Sequence, residues 1–595
     1  MKLATVMLAL SAAVIAPPVL AAPADAPFPA TRPTDTIPAQ LSNEQRAGYR
    51  AVFQAIHDRK WLDARLQLAQ MPQGPLHDIA LAEIYTGKGS PRVEAADLAK
   101  LLATGRDLPE ADYIARLARA RGATDLPELP YVRALSWVRG APVRTRVKST
   151  ARSDAIAADL AVKMQPFIKA DDGASAQALL ESTEGLSPEA LTEWQHKVAW
   201  IYYIAGDDAN ARAMAAKAAA GTGDWAVQAD WASGLAAWRQ HDCKAAGSSF
   251  DTVVQRTADV ELRAAALYWS SRAQMMCGHP EQVEPRLRSA AQYDETFYGL
   301  LARETLGLKM SPFHDAPKSP RDDWKALDGI ANVRTAAALA EIGEADLAGD
   351  VLKHQAKIGD PDQFAALVRL AGALNLPDTQ IWLAHNAPTG AAIPASARYP
   401  SPNWTPDGGW RVDKALVYAH TLQESNFRAN AVSAAGAYGL MQVRAAAASD
   451  MARKRGLAVD RAMLTQPSVN IEIGQSYLEM LRDQSATGGL LPKVIAAYNA
   501  GPLPVATWNS IVHDGGDPLL YIESIPYWET RGYVVTVLRN YWVYERESGR
   551  DVSPSRSALA QGMWPRFPGL PGPSAVRVRA ADTATLQPVQ TASAN

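Results

Sequence analysis

The stretch WIYYIAGDDANARAMAAKAAA, Trp200 to Ala220, decides how this chain folds. An aromatic helical run ends at Ala205, a Gly206–Asp207 turn breaks it, and an Ala-rich helical run follows from Ala209. Such a pair cannot bury its apolar faces alone and must stack on others. Similar turns recur at "HDRKW" (57–61), "QHDCKA" (240–245), "CGHPEQ" (277–282) and "IGEADLA" (342–348). Gly206, His241 and Gly278 are spaced by about 35 residues, near the ~34-residue period of tetratricopeptide-type helical pairs. The repeat is degenerate. The expected fold is therefore mainly α, with an α-solenoid of helical pairs over 22–294. An irregular helical bundle is the alternative.

The bulk numbers agree with a folded, multidomain chain. At 595 residues it is too long for one core, and 48% apolar content is ample for several. Lys plus Arg number 60 against 62 Asp plus Glu, so no general charge excess points to nucleic acid or an acidic membrane. The opening "MKLATVMLALSAAVIAPPVLAAPADAP" has the outline of a secretory signal peptide, 1–21, with cleavage expected after Ala21. An N-terminal membrane anchor is the alternative, but prolines interrupt the run and it is short for a span. No integral membrane segment is expected after cleavage. The two cysteines, Cys243 and Cys277, invite a disulfide in an exported protein, with two buried free thiols as the alternative. In the solenoid reading they lie at turns on the same edge of neighbouring repeats.

Composition marks further boundaries. Residues 295–385 read as a helical linker domain, and 386–410, "NAPTGAAIPASARYPSPNWTPDGGW", as a linker rich in Pro, Gly and Ser. Residues 411–550 return to helical patterning with different chemistry. Residues 551–595 read as a largely disordered Pro/Gly-rich tail, in which "MWPRFPGLPG" is the one part able to dock.

The chemistry gathers in 411–550. In "LVYAHTLQESNF" (416–427) Asp413 can cap a helix on which Leu416, His420 and Glu424 fall four apart. Glu424 then sits over a partly apolar face in the last turn, where burial and the negative end of the helix dipole both favour its neutral form. A carboxylic acid kept protonated near neutral pH is what glycosidic cleavage requires. The alternative is an exposed Glu at a fraying helix end. His420 can touch Glu424, or its position can reflect packing alone. "AVSAAGAYGLMQ" (431–442) adds Gly436 and Gly439 for tight turns, with Ser433 and Gln442 as hydrogen-bonding groups. "NIEIGQSYL" (470–478) reads as an amphipathic helix with Gly474 where two helices touch. "PKVIAAYNAGP" (492–502) projects Tyr498 and Asn499 from a final turn stopped by Gly501 and Pro502. "IESIPYWETRGYVVTVLRNYWVY" (522–544) begins as a Pro-bearing loop and continues as an aromatic helix, with Glu529, Arg531 and Tyr533 as polar exceptions.

Together "ESNF", "AVSAAGAYGLMQ", "NIEIGQSYL", "AAYNAGP" and "IPYWETRGYV", in this order, resemble the catalytic domain of the soluble lytic murein transglycosylases, which has a goose-type-lysozyme-like fold. "ETFYGLLARETLG" (295–307) resembles the segment joining solenoid and catalytic domain in their large, superhelical members. The resemblance implies a mostly helical, lysozyme-like domain at 411–550. It also implies cleavage of the β-1,4 bond between N-acetylmuramic acid and N-acetylglucosamine without external water. It places Glu424 as sole acid then base, and the muramyl C6 hydroxyl as the attacking group that closes a 1,6-anhydro ring. It implies glycan or active-site contacts at Ser433, Gln442, Tyr498 and Glu529, and less directly at Ser425, Met441, Asn499 and Tyr533. The implied partners are peptidoglycan glycan strands, with the solenoid as a surface for cell-wall synthesis proteins. The implied setting is the periplasm of a Gram-negative bacterium. Neither cofactor nor metal is expected: the ten His show no paired ligand spacing. One departure stands out, because Arg444 and Ala445 occupy the places where the family usually has Met or a similar residue and Pro. Two rival readings remain open. One is a hydrolytic muramidase using Asp450, Asp460 or Glu529 to activate water. The other is a catalytically inactive helical-repeat scaffold.

Overall fold

The computed structural model describes residues 37–310, 320–454, 459–550 and 552–578. The expected signal peptide lies outside them. The fold is mainly α: an α-superhelix followed by a lysozyme-like helical domain, with only three two-residue antiparallel strand pairs among the described residues.

The repeat pattern forms as its turns dictate. Helix Pro188–Ile204 pairs with Asp208–Ala219, Asp224–Arg239 with Cys243–Arg256, and Val260–Met276 runs into a 3-10 turn and Val283–Ala291. Each of the three turns is closed by a residue in the left-handed region: Gly206 at φ +83°, His241 at +56° and Gly278 at +76°. Asp207 and Asp242 then cap the next helices, accepting from the Asn210 and Ala245 backbone N–H groups. Trp194, Trp231 and Trp269 are fully buried between the layers, where small Ala residues let the helices approach. Cys243 opens one helix and Cys277 caps the end of the next; the two form a disulfide with Cα atoms 5.5 Å apart.

Packing does not follow chain order. Residues of 37–118 share one core with 324–397, whereas 160–306 share another with the C-terminal domain. The stretch 22–294, expected as one solenoid, is thus divided. Its first helix, Asn43–His57, turns back onto Ala331–Ile342, with Arg46 2.8 Å from Glu341 and His57 2.9 Å from Glu344. An extended segment crosses between the two cores: β1 (Ser136–Trp137) pairs with β2 (Asn386–Ala387), and Arg144 reaches the C-terminal domain.

Two expectations based on composition need correction. The 386–410 segment is packed: Tyr399 and Trp404 are buried, and the Tyr418 and Tyr544 hydroxyls donate to the Pro402 and Pro400 carbonyls. Within the tail, 552–578 is ordered. Pro554–Ala560 is a helix, and β5 (Trp564–Pro565) pairs with β6 (Ala575–Val576). Trp564 is fully buried and its indole N–H donates to the Gly516 carbonyl at 2.8 Å. Two large aromatics, Trp564 and Phe567, outweigh the proline-rich composition by burying apolar area on the domain.

One short helix, Pro518–Ser524, joins the superhelix to the C-terminal domain. The fully buried Glu523 carboxylate accepts from Arg144 at 2.7 and 3.1 Å and from the Tyr298 hydroxyl at 2.8 Å. Asp517 pairs with Arg272 at 2.6 Å, and Ser524 bonds Tyr203 at 2.7 Å. Tyr298 sits in the helix Phe297–Thr305, capped by Thr296, from the joining segment recognised in the sequence. Glu523→Ala leaves Arg144 buried and unpaired. It is expected to lower the unfolding free energy by about 3–5 kcal/mol in urea titrations. The double replacement Arg144→Met with Glu523→Leu should recover most of that loss. An unchanged midpoint in the single variant would contradict this account.

Candidate active site

Helix Lys414–Ser425 is capped by Asp413, whose Oδ1 accepts from the Ala415 N–H at 2.9 Å, and it ends at Asn426 in the left-handed conformation. Glu424 is half-buried in its last turn. The Tyr533 hydroxyl donates to Glu424 Oε1 at 2.6 Å. Burial pushes the Glu424 carboxyl from its ordinary 4.5 up to about 7, the Tyr533 hydrogen bond opposes this, and the Glu529 charge adds to it.

Behind Tyr533 stands His420, with Nδ1 2.8 Å from the tyrosine oxygen. The ring is fully buried, Nε2 has no partner, and burial holds its pKa down at about 3, so it stays neutral. Tyr533 has one proton to give. When Glu424 is ionised, Tyr533 donates to it and accepts from His420 Nδ1–H. When Glu424 is protonated, its own O–H can donate to Tyr533, which then donates to His420. The neutral imidazole therefore accommodates both states of the acid. The four-residue spacing of His420 and Glu424 signalled a contact, but the connection runs through Tyr533, 109 positions away from the acid.

The other expected residues divide into two groups. Tyr498 lies beside the site: its ring centroid is 4.6 Å from that of His420, and its hydroxyl donates to the Met441 carbonyl at 2.8 Å. Glu529 is exposed in the first turn of helix Trp528–Glu547, near enough for its charge to act on Glu424. The rest shape backbone. Ser425 is buried and donates to the Leu440 carbonyl at 2.8 Å. Ser433 accepts from the Ala437 N–H at 3.0 Å. Gln442, at φ +48°, donates to the carbonyls of Ala431 and Gly439. Asn499 accepts from the Thr530 hydroxyl at 2.6 Å, fastening two helices of the site. The 431–444 loop carries the hairpin of β3 (Ala437–Tyr438) and β4 (Val443–Arg444), and Arg444 is exposed at its end.

Gly439, at φ +72°, has no room for a side chain: a Cβ would lie 2.3 Å from the Leu464 carbonyl. The expectation that Gly474 marks a helix–helix contact is corrected. In helix Pro467–Arg482 it faces the buried Met441 side chain, whose sulfur would lie 2.2 Å from an added Cβ. Asp450 and Asp460 are engaged elsewhere, with Arg453 at 2.8 Å and the Met463 N–H at 2.8 Å.

The chain is thus a superhelix bearing a lysozyme-like domain, in which Glu424 sits in a recess backed by Tyr533 and His420. Residues 406–519 match the transglycosylase SLT domain. The soluble lytic murein transglycosylase of Salmonella typhimurium is 32% identical over 160 residues, 27% of this chain and 24% of that protein. That of Escherichia coli K12 is 35% identical over 132 residues, 22% of this chain and 20% of that protein. The matched part spans about a quarter or less of these relatives' length. The solved 70 kDa soluble lytic transglycosylase from Escherichia coli has the same fold. Its TM-score is 0.53 at 17% identity, covering 88% of this chain and 99% of that one. The inactive mutant of lytic transglycosylase Slt from Pseudomonas aeruginosa gives 0.51 at 18%, covering 86% and 83%. In domain and fold, the chain resembles the soluble lytic murein transglycosylases.

The raised acid sets a test of stability. Glu424 titrates at about 7 in the fold and near 4.5 when unfolded, so between these values the folded state binds more protons and stability falls as pH rises. The loss approaches roughly 3 kcal/mol above pH 7. Glu424→Gln is expected to gain on wild type by about that amount between pH 4.5 and 8 in urea titrations. Parallel curves for the two proteins would place the carboxyl in solvent.

Proposed function

We propose that the protein is a periplasmic lytic transglycosylase that cleaves the β-1,4 bond between N-acetylmuramic acid and N-acetylglucosamine in peptidoglycan. The observation that carries this reading is one half-buried acid, neutral up to about pH 7, with a hydroxyl donor poised on its oxygen. Glu424 in its protonated form gives its proton to the departing glycosidic oxygen as the C1–O4 bond breaks. The carboxylate so formed is stabilised by the Tyr533 hydroxyl. It then takes the proton of the muramyl C6 hydroxyl, whose oxygen bonds to C1 and closes the 1,6-anhydro ring. Glu424 ends protonated, and no water is consumed. An attacking group already held on the same sugar carries a high effective concentration, so no separate base is needed. Tyr498 and Glu529 are assigned to the walls of the glycan site, with Ser425, Ser433, Met441, Gln442 and Asn499 holding those walls in place.

A hydrolytic reading draws on one observation, the reach of the Glu529 charge to Glu424. Glu529 would then activate a water molecule. Export through the 1–21 segment fits a substrate outside the inner membrane, and no described helix is long and apolar enough to cross a membrane.

Digestion of purified sacculi followed by mass spectrometry tests both readings. Soluble products ending in 1,6-anhydromuramyl groups are expected, and kcat/KM should fall as pH rises above about 7. Glu424→Gln should lower the rate by about 10³-fold. Reducing ends would assign the reaction to hydrolysis, and equal release by wild type and variant would remove Glu424 from the chemistry.

A further inference from the structure

A cavity of about 470 Å³ lies where the first helices fold back onto the 324–397 region. It belongs to the core shared by those two parts, whereas the acid's recess belongs to the other core. Its walls come from Gln40 and three segments remote in the chain: 74–79, 104–108 and 331–335.

These walls are fastened to one another. Asn332, only 2% exposed, donates to the Asp107 carbonyl at 2.7 Å and to Gln355 Oε1 at 3.1 Å. The Gly74 N–H donates to His77 Nδ1 at 3.0 Å, and the Tyr49 hydroxyl lies 2.6 Å from the same nitrogen. The cavity is therefore shaped by bonds already made, and its remaining polar groups are the informative ones.

Two helices begin at the cavity, His77–Thr86 and Ala331–Ile342, and neither has a side-chain cap. The N–H groups of Asp78, Ile79, Ala331, Asn332 and Val333 have no partner among the described residues. Such ends combine open donors with the positive pole of the helix dipole. An independent sign stands beside them. Thr335 is only 8% exposed and lines the cavity, yet its hydroxyl makes no hydrogen bond among the described residues. A buried hydroxyl is costly unless paired, so its partner has to come from whatever fills the cavity. The neighbouring Arg334 is exposed and in no ion pair among the described residues.

The same walls carry the opposite charge. Asp78 is in no ion pair among the described residues, and Asp107 has only an exposed Arg106 at 3.8 Å, a contact worth little. Open N–H groups, a hydroxyl and a guanidinium call for a carboxylate. Two carboxylates beside them would repel a plain anion and call for an ammonium on the same ligand. The volume is that of a small-molecule site, too roomy for a bare ion.

We propose that this cavity binds a short peptide in its zwitterionic form. Its carboxylate would sit at the start of helix Ala331–Ile342 with Arg334 and Thr335, and its ammonium at Asp78 and Asp107. Such a ligand bridges the N-terminal helices and the 324–397 region, so binding also braces the return of the first helix. The site needs nothing from Glu424 and stands apart from the proposed reaction.

Calorimetric titration of the full chain with trialanine tests it, with N-acetyltrialanine, trialanine amide and inorganic phosphate for comparison. Trialanine is expected to bind with a Kd of about 0.1–1 mM, and each blocked peptide about tenfold more weakly. Arg334→Gln should weaken trialanine about tenfold and leave the amide, which has no carboxylate to lose, unchanged. Asp78→Asn should weaken trialanine to a similar extent and leave the N-acetyl peptide unchanged. A merely structural role for either residue would weaken all forms alike. Absence of saturable trialanine binding, equal affinity for the blocked forms, or phosphate binding as tightly as trialanine overturns the proposal. So does trialanine binding that survives both substitutions, because it would lie elsewhere on the chain.

Discussion

The architecture hangs on one buried carboxylate. Glu523 binds the crossing segment through Arg144 and the joining helix through Tyr298, while itself belonging to the C-terminal domain. Three stretches remote from one another in the chain therefore meet on two oxygens. A charge so deeply buried is tolerable only when its partners are all in place, which makes the contact a condition of assembly as much as a source of stability.

From that point the positions of the functional groups follow. The Pro-bearing loop after Glu523 starts helix Trp528–Glu547 at a set place and angle. Arg531 and Tyr533 are two positions apart on it, roughly 200° around the axis. One residue thus faces Trp200 of the superhelix while the other reaches Glu424. The long superhelix has a physical role in this arrangement, because residues 160–306 share their apolar core with the C-terminal domain.

Much of the site was legible locally. Helix ends are written in capping chemistry, so Asp413, Gly501 and the three repeat turns could be located from residue type. The position of Glu424 at the inner end of an apolar run was readable for the same reason. The roles of the surrounding polar residues were not. Ser425, Ser433 and Gln442 have the chemistry of sugar ligands, yet in the structure their side chains bond backbone and hold the 431–442 loop. Residue type says what a group can bond, and only geometry says what is within reach. The tail shows the same limit: proline and small residues suggested no fixed structure, while Trp564 and Phe567 found apolar surface that composition could not reveal.

By itself, the sequence determined the helical class, the turn positions and the acid at a helix tip, because each depends on residues within a few turns of one another. Tertiary structure alone decided the return of the first helix onto 324–397, the Glu523 junction and the hydroxyl on Glu424. Those depend on groups that are remote in the chain, and their energies come from burial and charge pairing, which exist only after the parts have met.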